Sequence, residues 1–225
     1  MSKKHKAFEI ILLGPPASGK GTQAKLLADT FSIPHISAGY LLREMKSDSS
    51  NHLAKEIASL IDNGQLVPDD LVNQIIKNRI KKDDCQLGYV LDGYPRTKEQ
   101  VNFLDNISSI NYVFLIDVKD EVVIDRILGR RACKNGHTWH IKYSPTRKED
   151  ICDTCGEKLY IRDDDSEIKV KERLQIYHQY NDPILNYYEK QNKLIRINGD
   201  QHIEGVFQNL IKYLVDDLRN QINLK

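Results

Sequence analysis

The chain has 225 residues, 40% hydrophobic and 29% charged, with 33 Lys and Arg against 32 Asp and Glu. That is an ordinary globular composition, long enough for one α/β domain that carries insertions. The formal net charge of +1 supplies no global field for nucleic acid or a membrane surface, and no apolar run approaches the roughly 18 residues of a membrane-spanning helix. The basic start Met1-Ser-Lys-Lys-His-Lys6 leads into a short apolar run, without the long apolar stretch of a secretory leader, so a cytoplasmic location is expected. In such a reducing compartment, three cysteines clustered late in the chain argue for a metal rather than disulfides.

The first element, Phe8–Leu13, reads as a buried strand. It runs directly into Gly14-Pro-Pro-Ala-Ser-Gly-Lys20-Gly-Thr22, and a helical pattern follows over Gln23–Phe31. Gly-x4-Gly-Lys between a strand and a helix is the layout of a phosphate cradle. The glycines let backbone N–H groups approach phosphate oxygens, the helix adds its positive end, the Lys reaches the β/γ-phosphates and the Thr22 hydroxyl can ligate Mg²⁺. A weaker strand lies near Pro34–Ser37, and a helical excursion with polar punctuation occupies 37–67. Further strands are expected at Tyr89–Asp92, Tyr112–Asp117 and Leu194–Asn198, separated by helical stretches. Asp120 reads as an N-cap or first-turn acid for a helix through Leu128. Helical periodicity over Glu167–Gln191 contains Pro183, which is expected to break or kink it. The last helix is expected over His202–Asn220. Residues 129–166 differ in kind, with the cysteine cluster, aromatics and the acidic run Asp163–Asp165. Both irregular segments read as insertions on one core, where mobile lids are built.

Leu91-Asp92-Gly93-Tyr94-Pro95-Arg96 follows a strand. An Asp at a strand end beside a phosphate loop can hold Mg²⁺ through water, and Arg96 supplies a second phosphate contact. Arginines recur at Arg43, Arg126, Arg130, Arg131, Arg162 and Arg173. Phosphoryl transfer spreads negative charge over several oxygens, and planar guanidinium forks match it. No Ser/His/Asp or Cys/His arrangement competes with this chemistry.

These stretches resemble the adenylate kinases with a long lid. The resemblance rests on residues 14–22, Ile-Ser-Ala-Gly-Tyr-Leu-Leu-Arg (36–43), Gly-Gln-Leu-Val-Pro-Asp (64–69), Leu-Asp-Gly-Tyr-Pro-Arg-Thr (91–97), Asp-Arg-Ile-Leu-Gly-Arg-Arg (125–131) and Lys-Glu-Arg-Leu (171–174), in that order. It implies an α/β fold: a P-loop NTPase-type parallel five-stranded sheet flanked by helices, with a helical NMP-binding insertion and a small β-rich zinc lid. The core would comprise 1–36, 68–128 and 167–225, the NMP insertion 37–67 and the lid 129–166. The implied reaction is ATP + AMP to two ADP with Mg²⁺, by a cytoplasmic monomer that binds neither nucleic acid nor membrane.

Carried over, Ala17, Ser18, Gly19, Lys20, Gly21 and Thr22 would cradle ATP, with Arg126 against the adenine, Arg130 on the phosphates and Gln201 at the adenine. Ala38, Arg43, Gln65, Leu66, Val67, Gly93, Tyr94, Pro95, Arg96 and Gln100 would hold AMP. Arg162 and Arg173 would bridge the reacting phosphates, and Asp92 would organise Mg²⁺; with Lys20, Arg96 and Arg130 they form the implied catalytic set. Many relatives have Ser-Thr-Gly-Asp where this chain has Ser37-Ala38-Gly39-Tyr40, and Ala at that place also occurs in UMP/CMP kinases. Gln100, four residues after Arg96, favours AMP because one buried hydrogen-bonding partner discriminates bases strongly.

Cys133-x3-His137, fourteen residues, then Cys152-x2-Cys155 presents four thiolate or imidazole ligands suited to tetrahedral, structural Zn²⁺. His137 is the fourth ligand expected, with His140 its rival. A zinc-ribbon nucleic-acid module on an NTPase is the alternative of a different class, but Glu149, Asp150 and Asp163–Asp165 cancel the basic charge of Lys134, Lys142, Arg147 and Lys148.

Overall fold

A computed structural model describes residues 8–47, 53–63, 65–163 and 165–223, the side chains of 218 and 220–223 excepted. The basic N-terminal segment, Gly64 and Asp164 lie outside the described residues. In chain order the elements are β1 (Phe8–Leu13), α1 (Lys20–Phe31), β2 (His35–Ser37), α2 (Ala38–Ser47), α3 (Ala54–Asp62), α4 (Asp69–Ile80), β3 (Gly88–Asp92), α5 (Lys98–Asp105), β4 (Tyr112–Asp117) and α6 (Asp120–Leu128). Then follow β5 (Arg130–Ala132), β6 (Thr138–His140), α7 (Glu167–Lys190), β7 (Leu194–Asn198) and α8 (Ile203–Asn223).

Five strands form one parallel sheet in the order β2-β3-β1-β4-β7. Successive strand residues point to opposite faces, and both faces are covered, which is why the strands read as unbroken apolar runs. On one face Ile11, Leu13, Leu91, Val113 and Leu115 pack with α4, α5 and the end of α7. On the other, Ile10, Leu12, Phe114 and Ile116 pack with α1, α6 and α8. The chain winds outward from β1 to β2 and then returns through β3 across to β4. The loops at the carboxyl ends of the strands therefore open into a crevice beside β1, where ligands bind in doubly wound sheets.

Helix α7 passes across this crevice and is continuous through Pro183, so the break expected there does not occur. Proline in a helix interior costs about 3 kcal/mol. The residues just beyond it, Ile184, Leu185 and Tyr188, are 2%, 8% and 0% exposed, and burying each side chain is worth about 1.5–3 kcal/mol. Packing outweighs the lost helical bond. Asp120 sits in the first turn of α6 with Lys119 at the cap, so it acts on the helix dipole rather than as the cap.

The segment 129–166 contains the antiparallel pair β5–β6 and isolated bridges at Ala132–Tyr160, His140–Ser144 and Ile151–Lys158. Its own core is small: Cys133, Cys152 and Leu159, with Trp139 and Cys155 against them. Among the described residues no helix is long and apolar enough to cross a membrane.

Candidate active site

The loop leaving β1 takes left-handed φ at Gly14 (145°), Ala17 (54°) and Gly19 (98°). At Gly14 a Cβ would stand 2.5 Å from the Ile116 carbonyl oxygen and 2.8 Å from Ser18 Oγ. Only glycine lets the loop pass this close to β4. Gly19 then leads into α1, so the loop amides and the helix dipole point into one cleft. Lys20 folds over the loop and donates to the carbonyls of Gly14 (2.8 Å) and Pro15 (2.7 Å). Burial pushes its ammonium down to about 8; Asp92 opposes the fall, while Arg96, Arg173 and Arg130 add to it.

Asp92 ends β3 beside the loop, close enough that a Cβ on Gly21 would lie 3.4 Å from its Oδ2. His35 Nε2 stands 3.5 Å from the same oxygen, an ion-pair approach without a directed hydrogen bond. Burial alone would raise the Asp92 carboxyl, but His35, Lys20 and Arg96 outweigh it and hold it below its ordinary value.

Two cavities meet here. A cleft of about 1450 Å³ is lined by Ala17 to Thr22, Asp92, Arg126, Arg130, Arg162 and Gln201. A pocket of about 120 Å³ is lined by Ala38, Gln65, Leu66, Val67 and Gln100. Gly39, Arg43, Leu66, Gly93, Arg96 and Arg173 line both. Pro95 faces the larger cleft. Tyr94, expected at the acceptor, turns its side chain into the core, where its hydroxyl donates to Asn73 Oδ1 at 2.6 Å.

Gln100 is 3% exposed and held at both ends of its amide. Its Oε1 accepts from the Arg96 N–H at 2.7 Å, and its Nε2 donates to Asp69 Oδ1 at 2.6 Å. The other Asp69 oxygen accepts from Thr97 Oγ1 at 2.7 Å, and Thr97 caps α5 by accepting from the Gln100 N–H. Arg96 Nε donates to the Gly93 carbonyl at 2.8 Å.

Arg126 joins two loops of the cleft, donating to the Gly199 carbonyl at 2.9 Å and to the Ser18 carbonyl at 3.4 Å. Arg130 donates through Nε to Asp165 Oδ2 at 2.9 Å and through Nη2 to Oδ1. Arg173 Nη1 lies 4.0 Å from the same carboxylate, whose side chain is wholly buried. Away from the cleft floor, Cys133, His137, Cys152 and Cys155 bring their ligand atoms within 4.8 Å of one another. His140 is turned elsewhere, with Nδ1 accepting from the Lys142 and Tyr143 N–H groups at 2.9 and 3.0 Å.

The family model described as adenylate kinase matches residues 12–193. An adenylate kinase of Lachnospira eligens is 44% identical over 213 residues, covering 92% of this chain and 100% of the relative. One of Clostridium kluyveri is 45% identical over 207 residues (89% and 95%), and one of Alkaliphilus oremlandii 44% over 218 (94% and 100%). The chain belongs to the adenylate kinase family.

The fold of this kinase brings Lys20, Asp92, Arg43, Arg96, Arg126, Arg130, Arg162 and Arg173 to one cleft, while Arg131, also expected among the converging arginines, turns to the carbonyls of Leu128 and Arg130. Sequence reasoning missed three carboxylate or imidazole partners. Asp165 was read only as part of a charge-cancelling run, although a buried carboxylate between arginines is a holder of their geometry. Asp69 lay inside a matched stretch without a role, and the only local signal was its position in the first turn of α4. His35 gave none, because β2 pairs with β3 only through the tertiary fold.

Proposed function

We propose that this adenylate kinase transfers the terminal phosphoryl group of Mg-ATP to AMP, reversibly, giving two ADP. The observation that carries the reading is the junction of the two cavities at Arg96 and Arg173. A donor phosphate on the Gly14–Thr22 loop and an acceptor phosphate at Arg43 and Arg96 would face each other there, which is the arrangement that in-line transfer requires. Lys20 leaves its carbonyl partners for the β/γ-phosphates, and Arg130, Arg162 and Arg173 neutralise the charge spread in the transition state. Asp92, whose carboxyl is held below its ordinary pKa, is the residue that would hold the Mg²⁺ bound with ATP, through that ion's waters, and the cation would supply charge neutralisation at the donor phosphates. Arg126 and Gln201 border the adenine end of the donor. Gln65 to Val67, Ala38 and Gln100 form the acceptor wall. In this division the core is 1–36, 68–128 and 167–225, the acceptor insertion 37–67 and the lid 129–166, in a cytoplasmic monomer.

Cys133, His137, Cys152 and Cys155 would hold a structural Zn²⁺. Bonds of about 2.3 Å to sulfur and 2.0 Å to nitrogen in a tetrahedron imply S···S edges near ~3.8 Å and S···N edges near ~3.5 Å. The structure has Cys133 Sγ 3.6 Å from Cys155 Sγ, and His137 Nδ1 3.4 Å from Cys133 Sγ and 3.6 Å from Cys152 Sγ. Trp139 Nε1 donates to Cys152 Sγ at 3.3 Å. Burial would raise that thiol, but this bond and the backbone N–H groups of Thr154 and Cys155 carry it down to about 6. Four protein ligands leave no open position, so the metal's contribution is to fold a lid whose own core is too small.

Acceptor choice is tested with AMP, UMP, CMP and GMP against Mg-ATP. AMP should win by at least tenfold in kcat/KM, since Gln100 is fixed in place to hydrogen-bond one base. Equal use of UMP or CMP would overturn the acceptor assignment and turn attention to Ala38.

A further inference from the structure

The two insertions touch across the mouth of the cleft, through residues the phosphoryl-transfer site does not use. Tyr40, on the first turn of α2, lines the cleft opposite Asn135, Gly136 and His137 of the zinc-ligand loop. A Cβ built on Gly136 would stand 3.7 Å from Tyr40 Cε2, ordinary contact distance. Gly136 takes φ 83° in that turn, so the bare backbone of the loop faces the ring. The second contact lies at the other end of the acceptor insertion. Lys169, in the first turn of α7, donates through Nζ to the Asp62 carbonyl at the end of α3 and to the Asp163 carbonyl before α7, both at 3.2 Å. Asp62 is held in turn by Lys46 at 2.6 Å. Lys169 is one turn from Arg173 on the same face of α7, so the chain that reaches the reacting phosphates also reaches the acceptor insertion.

We propose that Tyr40 and Lys169 are positioning residues that couple closure of the acceptor insertion to closure of the lid. Tyr40 joins the acceptor insertion (37–67) to the lid (129–166) directly, and Lys169, at the start of core helix α7, bridges Asp62 of the acceptor insertion to Asp163 of the lid, so both contacts need the two insertions to stand together over the cleft. A nucleotide that closes one segment thereby lowers the free energy of closing the other, and linkage makes the effect reciprocal. The Tyr40 contact is an aromatic ring on a glycine turn and the Lys169 contact a cation on two carbonyls.

This inference rests on the two-nucleotide reading, and one probe separates the two. Two adenosines joined 5′ to 5′ by five phosphates occupy donor and acceptor together. Titration of the wild-type protein with this probe, with AMP alone and with a non-hydrolysable ATP analogue alone tests the reading itself: if the probe binds no tighter than the single nucleotides, there is no joint site. The variants Tyr40→Ala, Tyr40→Phe and Lys169→Met test the coupling. Tyr40→Ala and Lys169→Met should each weaken the probe about fivefold, at the low end of coupling factors between sites, while single-nucleotide affinities stay within about twofold. Tyr40→Phe keeps the ring and should bind the probe as the wild type does. Unchanged probe affinity in both Tyr40→Ala and Lys169→Met would overturn the proposal. So would an equal loss of AMP affinity alone, which would make Tyr40 part of the acceptor wall.

Discussion

Asp69 carries the acceptor pocket without touching its cavity. Replacing it by Ala removes two hydrogen bonds to an ionised carboxylate, from Gln100 Nε2 at 2.6 Å and Thr97 Oγ1 at 2.7 Å. Such bonds contribute about 1.5–3 kcal/mol each. Gln100 and Thr97 are 3% and 7% exposed, so the stranded donors have little water to turn to. Asp69 itself is only half-buried, which places each bond at the low end, about 3 kcal/mol together. For a chain of this size 1 kcal/mol moves Tm by about 2–4 °C, so Asp69→Ala should melt about 6–12 °C lower. The Gln100 amide, no longer anchored, should also lose its alignment with the acceptor base. KM for AMP at saturating Mg-ATP should rise about tenfold, the worth of one hydrogen bond to a buried partner. The affinity for an ATP analogue should not change. Differential scanning calorimetry and initial-rate assays read both effects. A Tm within 1 °C of the wild type together with an unchanged KM would refute the argument that Asp69 orders the acceptor pocket.

Lys20 should gain a proton when ATP binds. Its folded pKa is down at about 8, so at pH 8.5 much of it is neutral, and phosphate contact favours the charged form. Calorimetry in buffers of different ionisation enthalpy should show net proton uptake at pH 8.5, absent in Lys20→Ala; no uptake in the wild type contradicts the assignment. The same depressed pKa means the buried charge disfavours folding fully below pH 8, and that this penalty is relieved as pH rises from 8 toward 10.5. Lys20→Ala should also lower kcat by about 10²-fold or more while the fold persists, and near-wild-type turnover would remove the phosphate loop from the mechanism. Cys152→Ser should lower bound zinc, measured by elemental analysis, and lower Tm more than it lowers activity in the cold. A variant with wild-type zinc content would defeat the metal assignment.

Strands β1, β3 and β4 were legible almost to the residue, because they are largely buried and a short apolar run of that kind admits little else. The tight glycine-rich turn from β1 into α1 was legible because its pattern is written in adjacent residues. The Cys and His cluster was legible by spacing, His137 included, although His140 is equally within reach in sequence; the folded turn points His137 at the thiols and His140 at the α6–β5 corner. The break allowed for at Pro183 does not occur because helix breaking is a local penalty while the burial of Ile184, Leu185 and Tyr188 is a tertiary gain.

Local order alone, then, carried the alternation of strands and helices, the glycine-rich turn after β1 and a Cys/His set that could hold a metal ion, since each is a short-range pattern of residue types. Tertiary structure decided which groups meet. Asp69 reaches Gln100 across 31 positions, Asp165 reaches Arg130 across 35 and Lys169 reaches Asp62 across 107. No periodicity carries such pairings. They exist because a parallel sheet gathers the carboxyl ends of distant strands at one edge, where a buried charge must find its partner from whatever segment arrives beside it.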